Sequence, residues 1–192
     1  TAVATAAVRD ASDGPDFIAE VLRETGQHIR TIDGREEARL SAQGVLLGWP
    51  SATGVVCDIG GSSLELAALD QGAVGACATA ALGPLKLQDV KRGKGALRKH
   101  IDAEMSACCA DFTSAARRLF LVGGSWRAIA KLDMARRNYP LKVLHEYRMP
   151  PNDLRRTLKW IANTDIATMR QLTGIGAERK GLIPPAAIVL DS

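Results

Sequence analysis

Aromatic side chains are scarce in this chain, 4% of 192 residues, and few are interleaved in its basic run from Lys86 to His100. Single-stranded nucleic acid is held largely by bases stacking on rings, so no nucleic-acid partner is expected. No apolar stretch approaches the ~20 residues that cross a bilayer, so no membrane partner is expected either. The four cysteines, Cys57, Cys77, Cys108 and Cys109, have neither CxxC nor His/Cys metal spacing. They read as reduced packing residues of a cytoplasmic protein. His28, His100 and His145 have no Ser or Cys partner at a readable spacing, which leaves no catalytic triad. There is no P-loop and no evident nucleophile for a covalent phosphoenzyme. The chain opens on Thr1, without Met or a secretory pattern, and reads as part of a longer protein.

What is present is a chain that can bury a core, at 46% hydrophobic residues, with a mild positive balance of +4. Its most informative stretch is Gly54 to Leu69, GVVCDIGGSSLELAAL. Two strand patterns flank Gly60, Gly61, Ser62 and Ser63, which are small enough to turn sharply and to let a ligand approach the backbone. Successive amides in such a turn form an anion-binding concavity. Asp58 closes the first strand and Glu65 opens the second, which suits a metal-assisted phosphoryl site. A tight hairpin with two merely solvated acids fits the spacing equally well.

Taken in order, residues 2–8 read as a strand ending at Arg9-Asp10, and Gly14-Pro15 opens a helix that Gly26 stops. Residues 28–32 read as a second strand. Asp33 is an N-cap with Glu36 as capping-box partner, opening a helix from Gly34 to about Leu47. Glu37, one step on, faces elsewhere. Strand–helix–strand–helix implies a parallel α/β layer. Trp49, Pro50 and Ser51 mark a linker, and residues 72–82 a third, antiparallel strand. A stripe from Leu97 through Ile101, Met105, Cys108, Phe112 and Ala115 to Leu119 predicts one amphipathic helix. Then come a strand at 119–122, the turn Gly123-Gly124-Ser125 and a helix, a second anion site. Two further helices, one capped by Asp165, and a strand over 186–190 complete the chain. The basic run is either a solvated helix end or a track for a polyanion.

The run DIGGSSLEL resembles the phosphate-binding hairpin of the exopolyphosphatase/guanosine pentaphosphate phosphatase family, usually DIGGGSTEL. Ser62 stands for the third Gly and Leu64 for Thr, so a hydroxyl is lost. TAAVRD, GREEARL, LVGGS and the closing segment with Arg179 resemble family segments in the same order. The resemblance implies a ribonuclease-H-like α/β fold (that of the actin-like ATPases), with a mixed sheet flanked by helices. Residues 1–48 would be the latter part of one lobe and 52–192 a second, with the opening phosphate loop of lobe one absent. It implies release of orthophosphate from inorganic polyphosphate or guanosine pentaphosphate, in a protein that is often a homodimer. Glu37 would be the general base and Arg9 would lie near the phosphate. Gly60–Ser63 and Gly123, Gly124 and Ser125 would hold phosphate oxygens, and Asp58 and Glu65 would hold Mg2+. Two rivals stay open, an ATP-using kinase or chaperone of the same superfamily and a non-catalytic polyanion-binding module. For the first, the bulk of Trp126 beside the second turn is expected to crowd adenosine.

Overall fold

The computed structural model describes residues 1–88, 90, 93–112, 118–173 and 181–192. Lys91, Arg92, Ala115 and Arg179 lie outside them. The chain opens with a parallel pair, β1 (Ala2–Ala4) and β2 (Ile29–Thr31), as the alternation of elements implies. Between them run α1 (Ala6–Arg9) and α2 (Gly14–Thr25). The strand expected over residues 2–8 stops at Ala4, and its second half coils into α1 because alanine is the strongest helix former. Gly14 starts α2 hard against α1, where a Cβ would sit 2.1 Å from the Val8 carbonyl oxygen. Gly26 ends it in the left-handed region, at φ 69°.

Asp33 caps α3 (Gly34–Gly48) as expected, accepting from the Glu36 amide at 2.8 Å. The other half of the capping box is not made. Instead Arg30 on β2 holds both oxygens of the Glu36 carboxylate at 2.7 Å.

A four-stranded sheet forms the centre, in the order β5-β4-β3-β6. Its strands are β3 (Gly54–Ile59), β4 (Leu64–Asp70), β5 (Ala73–Ala80) and β6 (Leu119–Val122). The first three are an antiparallel meander, and β6 joins β3 in parallel. The pleat divides their side chains. Cys57, Ile59, Leu64 and Leu66 face a large core with Ile101, Trp126, Ile129 and Leu132. Val56, Ala67 and Leu69 face the other way, onto Ala38 and Ala42 of α3.

The connection from β5 to β6 carries α4 (Pro84–Gln88) and α5 (Lys94–Cys108). The stripe expected to run through Leu119 ends with α5 at Cys108, and Leu119 belongs to β6. After β6 come α6 (Gly124–Arg136), α7 (Pro151–Asn163), α8 (Ile166–Thr173) and α9 (Ile183–Asp191). Asp165 caps α8 through the Thr168 amide at 2.9 Å. The strand expected over 186–190 is the helix α9. Two prolines pre-set its first turn, and Ala186, Ala187 and Val189 bury against the helical layer.

One buried carboxylate ties that layer together. Asp133 on α6 accepts from Thr157 and Tyr147 at 2.5 Å each, from Arg136 at 3.0 Å and from Arg137 at 3.3 Å. The hydrogen bonds hold its carboxyl below the usual carboxylate range against the upward push of burial.

Candidate active site

The register pairs Asp58 with Glu65 and Ile59 with Leu64, leaving Gly60–Ser63 as the turn. Three of its carbonyls are used internally. Ser63 accepts from the Gly60 amide at 3.0 Å, Gly61 from Leu85 at 2.9 Å and Ser62 from Gly83 at 3.2 Å. The amides of Gly61, Ser62 and Ser63 make no backbone hydrogen bond among the described residues. A row of free donors backed by satisfied acceptors is an anion nest. Only glycine fits at 83, since a Cβ there would lie 2.2 Å from the Ser62 carbonyl carbon.

The second turn sits beside the first because β6 runs parallel to β3. Gly123 has φ 112°, and a Cβ on it would meet the Ile59 oxygen at 2.6 Å and Asp58 Oδ1 at 3.1 Å. The first amides of α6 follow, unpaired within the helix as at any N-terminus. Gly60, Gly61, Gly124 and Ser125 line one open hollow of about 190 Å³, together with Leu182 and Ile183. The structure thus brings both glycine turns onto one hollow. Trp126 does not crowd it. The indole is buried and donates to the Cys57 carbonyl at 3.1 Å, so the expected obstacle to adenosine is absent.

The acids lie on the α3 side of the hairpin. The Ser41 hydroxyl donates to Asp58, and Thr79 on β5 donates to Glu65 at 3.2 Å. Glu37 stands one helical turn before Ser41, on the same face of α3. Burial raises the Glu37 carboxyl, nearby Arg9 draws it down and the charge of Asp58 pushes it up again. Glu65 is fully buried, and its carboxyl rises to about 7 through burial, against the pull of the Ser63 and Thr79 hydroxyls. The charges of Glu37 and Asp58 add to the rise.

Glu37 Oε2 is buried without a hydrogen-bond partner among the described residues. Arg9 Nη1 lies 3.8 Å from it, a charge neighbour rather than a hydrogen-bond donor. That guanidinium is aimed by the Ile32 carbonyl at 3.1 Å and by Asp10 at 3.2 Å. Lys86 reaches Asp10 at 3.3 Å, and Arg98 pairs with Asp191 at 2.6 Å, so two cations of the basic run already have acids.

Ser41, Thr79, Leu182 and Ile183 were not singled out from sequence. Ser41 was findable from its i+4 spacing to Glu37; the others depend on tertiary packing. Among the described residues no three His, Cys, Asp or Glu side chains come together as a metal-holding group. The facing pair Asp58 and Glu65 nonetheless fits Mg2+, which keeps several waters and takes one or two carboxylates beside substrate phosphates.

Two glycine turns thus stand at the ends of adjacent parallel strands, with carboxylates behind them. The profile of the Ppx/GppA phosphatase family matches residues 1–192, and the chain belongs to that family. It is 28% identical to exopolyphosphatase 1 of Mycobacterium leprae, covering 100% of this chain and 60% of that protein. Against exopolyphosphatase 1 of Mycobacterium tuberculosis H37Rv the identity is 27%, over 100% and 59% of the two chains. The chain therefore spans about 60% of the length of the curated relatives it matches. The crystal structure of an exopolyphosphatase from Cytophaga hutchinsonii superposes with a TM-score of 0.84 at 19% identity, over 98% of this chain and 65% of that one. The Ppx/GppA enzyme of Aquifex aeolicus gives 0.78 at 18%, over 99% and 66%. The mixed sheet flanked by helices that the resemblance implied is the fold shared with these structures.

Proposed function

We propose that the protein hydrolyses a terminal phosphoanhydride, releasing orthophosphate from inorganic polyphosphate, with guanosine pentaphosphate as a second substrate of the same chemistry. The observation that carries this is the hollow onto which both glycine turns open, with turn amides that make no backbone hydrogen bond among the described residues. On the α3 side of the same hairpin Glu37 keeps a buried oxygen without a partner among the described residues. The exopolyphosphatase names of the relatives support the same reading.

Phosphoryl transfer calls for positioning and charge neutralisation more than for covalent chemistry. In this reading the amides of Gly61, Ser62, Ser63, Gly124 and Ser125 hold the terminal phosphoryl oxygens, and Arg9 offsets their charge. Glu37 Oε2 takes a proton from water, whose oxygen attacks the terminal phosphorus. The bridging P–O bond breaks, giving orthophosphate and a chain one phosphate shorter. Burial raises the Glu37 carboxyl, the direction that makes a carboxylate a stronger base. Asp58 and Glu65 would hold Mg2+, which when bound supplies positive charge to the phosphate oxygens.

The test is orthophosphate release from polyphosphate, and in parallel from guanosine pentaphosphate and ATP, with Mg2+ present. Glu37→Gln should lower turnover by about 10²–10⁴-fold, the usual contribution of a positioned base. Polyphosphate affinity and Tm should stay near wild type, because the amide keeps the shape of the acid. An active Glu37→Gln variant removes the base from this scheme. Binding of polyphosphate without turnover in the wild-type protein returns the reading to a polyanion-binding module, and turnover confined to ATP to the kinase-like rival.

A further inference from the structure

The other end of the same sheet carries charge that the catalytic reading does not use. Where β3 and β6 begin, Trp49, Ser51, Thr53 and Arg118 line a hollow of about 660 Å³. Strand β3 is 6 residues long, so this end lies about 20 Å from the glycine turns at ~3.3 Å per residue. Two guanidiniums lie over the ring of Trp49, Arg118 at 5.2 Å from its centroid and Arg148 at 5.3 Å. Arg118 also lies 5.7 Å from Phe120, whose ring meets Trp49 edge-on at 6.3 Å.

Both arginines are set in place from behind. The Arg118 carbonyl accepts from the Val55 amide at 2.9 Å, fixing its backbone to the sheet. Arg148 follows Tyr147, whose hydroxyl is anchored on buried Asp133. Neither guanidinium has an ion pair or hydrogen bond among the described residues, and no acidic side chain lines the hollow. Two like charges held about one ring repel each other. Stacking on an indole engages the face of a guanidinium and leaves its N–H edge free, the edge that grips a phosphate in a bidentate fashion.

We propose that Trp49, Arg118 and Arg148 form a second anion site, selective for a multiply charged phosphate group such as a pyrophosphoryl unit. Guanidinium already covers the indole, so the site reads the anion and not an attached ring.

The chain contains three tryptophans, and their indole N–H signals in a ¹⁵N–¹H correlation spectrum serve as the reporter. Trp126, fixed to the Cys57 carbonyl, is the built-in reference for folding. Inorganic pyrophosphate is titrated at low ionic strength without divalent metal, against sodium chloride at matched ionic strength. The Trp49 signal should move saturably with pyrophosphate alone, while that of Trp126 stays. Arg118→Ala or Arg148→Ala should weaken this by about tenfold or more, the value of hydrogen bonds to a charged group. Arg148→Lys should weaken it less. Arg9→Ala, at the opposite end, should leave the Trp49 titration unchanged. An equal response to chloride, an unchanged titration in both alanine variants, or its loss in Arg9→Ala would each overturn the proposal. If an alanine variant moves the free Trp126 signal, Arg148→Lys decides, and a titration there identical to wild type counts against the site.

Discussion

One face of the central sheet is covered by large apolar side chains, Ile101, Trp126, Ile129 and Leu132, all at most 2% exposed. The other is covered by α3, whose buried side chains there are Ala38 and Ala42, with Val45 and Leu46 packed beside them toward the helix's far end. Small residues let that helix approach closely. Its first residue, Gly34, would place a Cβ 2.6 Å from the Thr79 side chain. The close approach brings Glu37 and Ser41 to the acids of the hairpin. Bulk on one face supplies stability, and small residues in the first half of α3 allow reactive groups of different elements to meet.

The sharpest way to separate the two faces is to empty one and overfill the other. Leu132→Ala on the bulky face should cost about 2–5 kcal/mol of unfolding free energy. Turnover measured well below the new Tm should be unchanged. Ala42→Leu should cost less stability, about 1–3 kcal/mol. By tilting α3 it should lower turnover out of proportion, since displacing a catalytic group by an ångström can cost ~10²-fold. Equal activity loss in the two variants would abolish the division of labour between the faces.

A smaller effect is expected from pH. The Glu65 carboxyl moves from an ordinary value of 4.5 to about 7 in the folded chain. Between those values the folded chain keeps a proton that the unfolded chain has released, so this carboxyl's contribution to stability falls as pH rises through the window and levels off above it. Denaturant titrations of wild type and Glu65→Gln between pH 4.5 and 8 isolate the contribution, and wild type should lose ground to the variant as pH rises. If Asp58 and Glu65 take a cation, Mg2+ should raise wild-type stability more at pH 8 than at pH 5. A pH-independent difference between the proteins would detach Glu65 from the acidic cluster.

The smallest effect belongs to Glu36→Gln. Its carboxylate is engaged by Arg30 on an exposed surface. Arg30 holds it below the usual carboxylate range. The variant should keep full turnover with a barely moved Tm. Inactivity here would exchange the roles of Glu36 and Glu37.

The hairpin was legible in the sequence because glycine spacing and strict alternation fix which residues oppose each other, and Asp58 does face Glu65. The cap at Asp33 was legible because capping is local. The misread elements share one cause. AVATAAV and AAIVL are apolar runs without strong periodicity, and such runs fit strand and helix alike until their surroundings decide. Alanine's helix propensity turned the second half of the first into α1, and two prolines turned the second into α9. The stripe joined residues of α5 to Leu119 of β6, which happened to continue its spacing. The bond from Arg30 to Glu36 and the inward turn of Trp126 are set by partners in other elements. No local pattern encodes them.

Asp133 has a consequence for how the molecule comes apart. Residues 139–150 contain no helix or strand, and a segment of that kind ordinarily opens far more readily than its neighbours. Here Tyr147 shares one buried carboxylate with Thr157 of α7 and with Arg136 and Arg137 at the end of α6. Releasing any of the three segments strands a charge in the interior, so they open together as one cooperative block. The helix whose first turn lines the hollow between the glycine turns is thereby anchored at its far end by a loop.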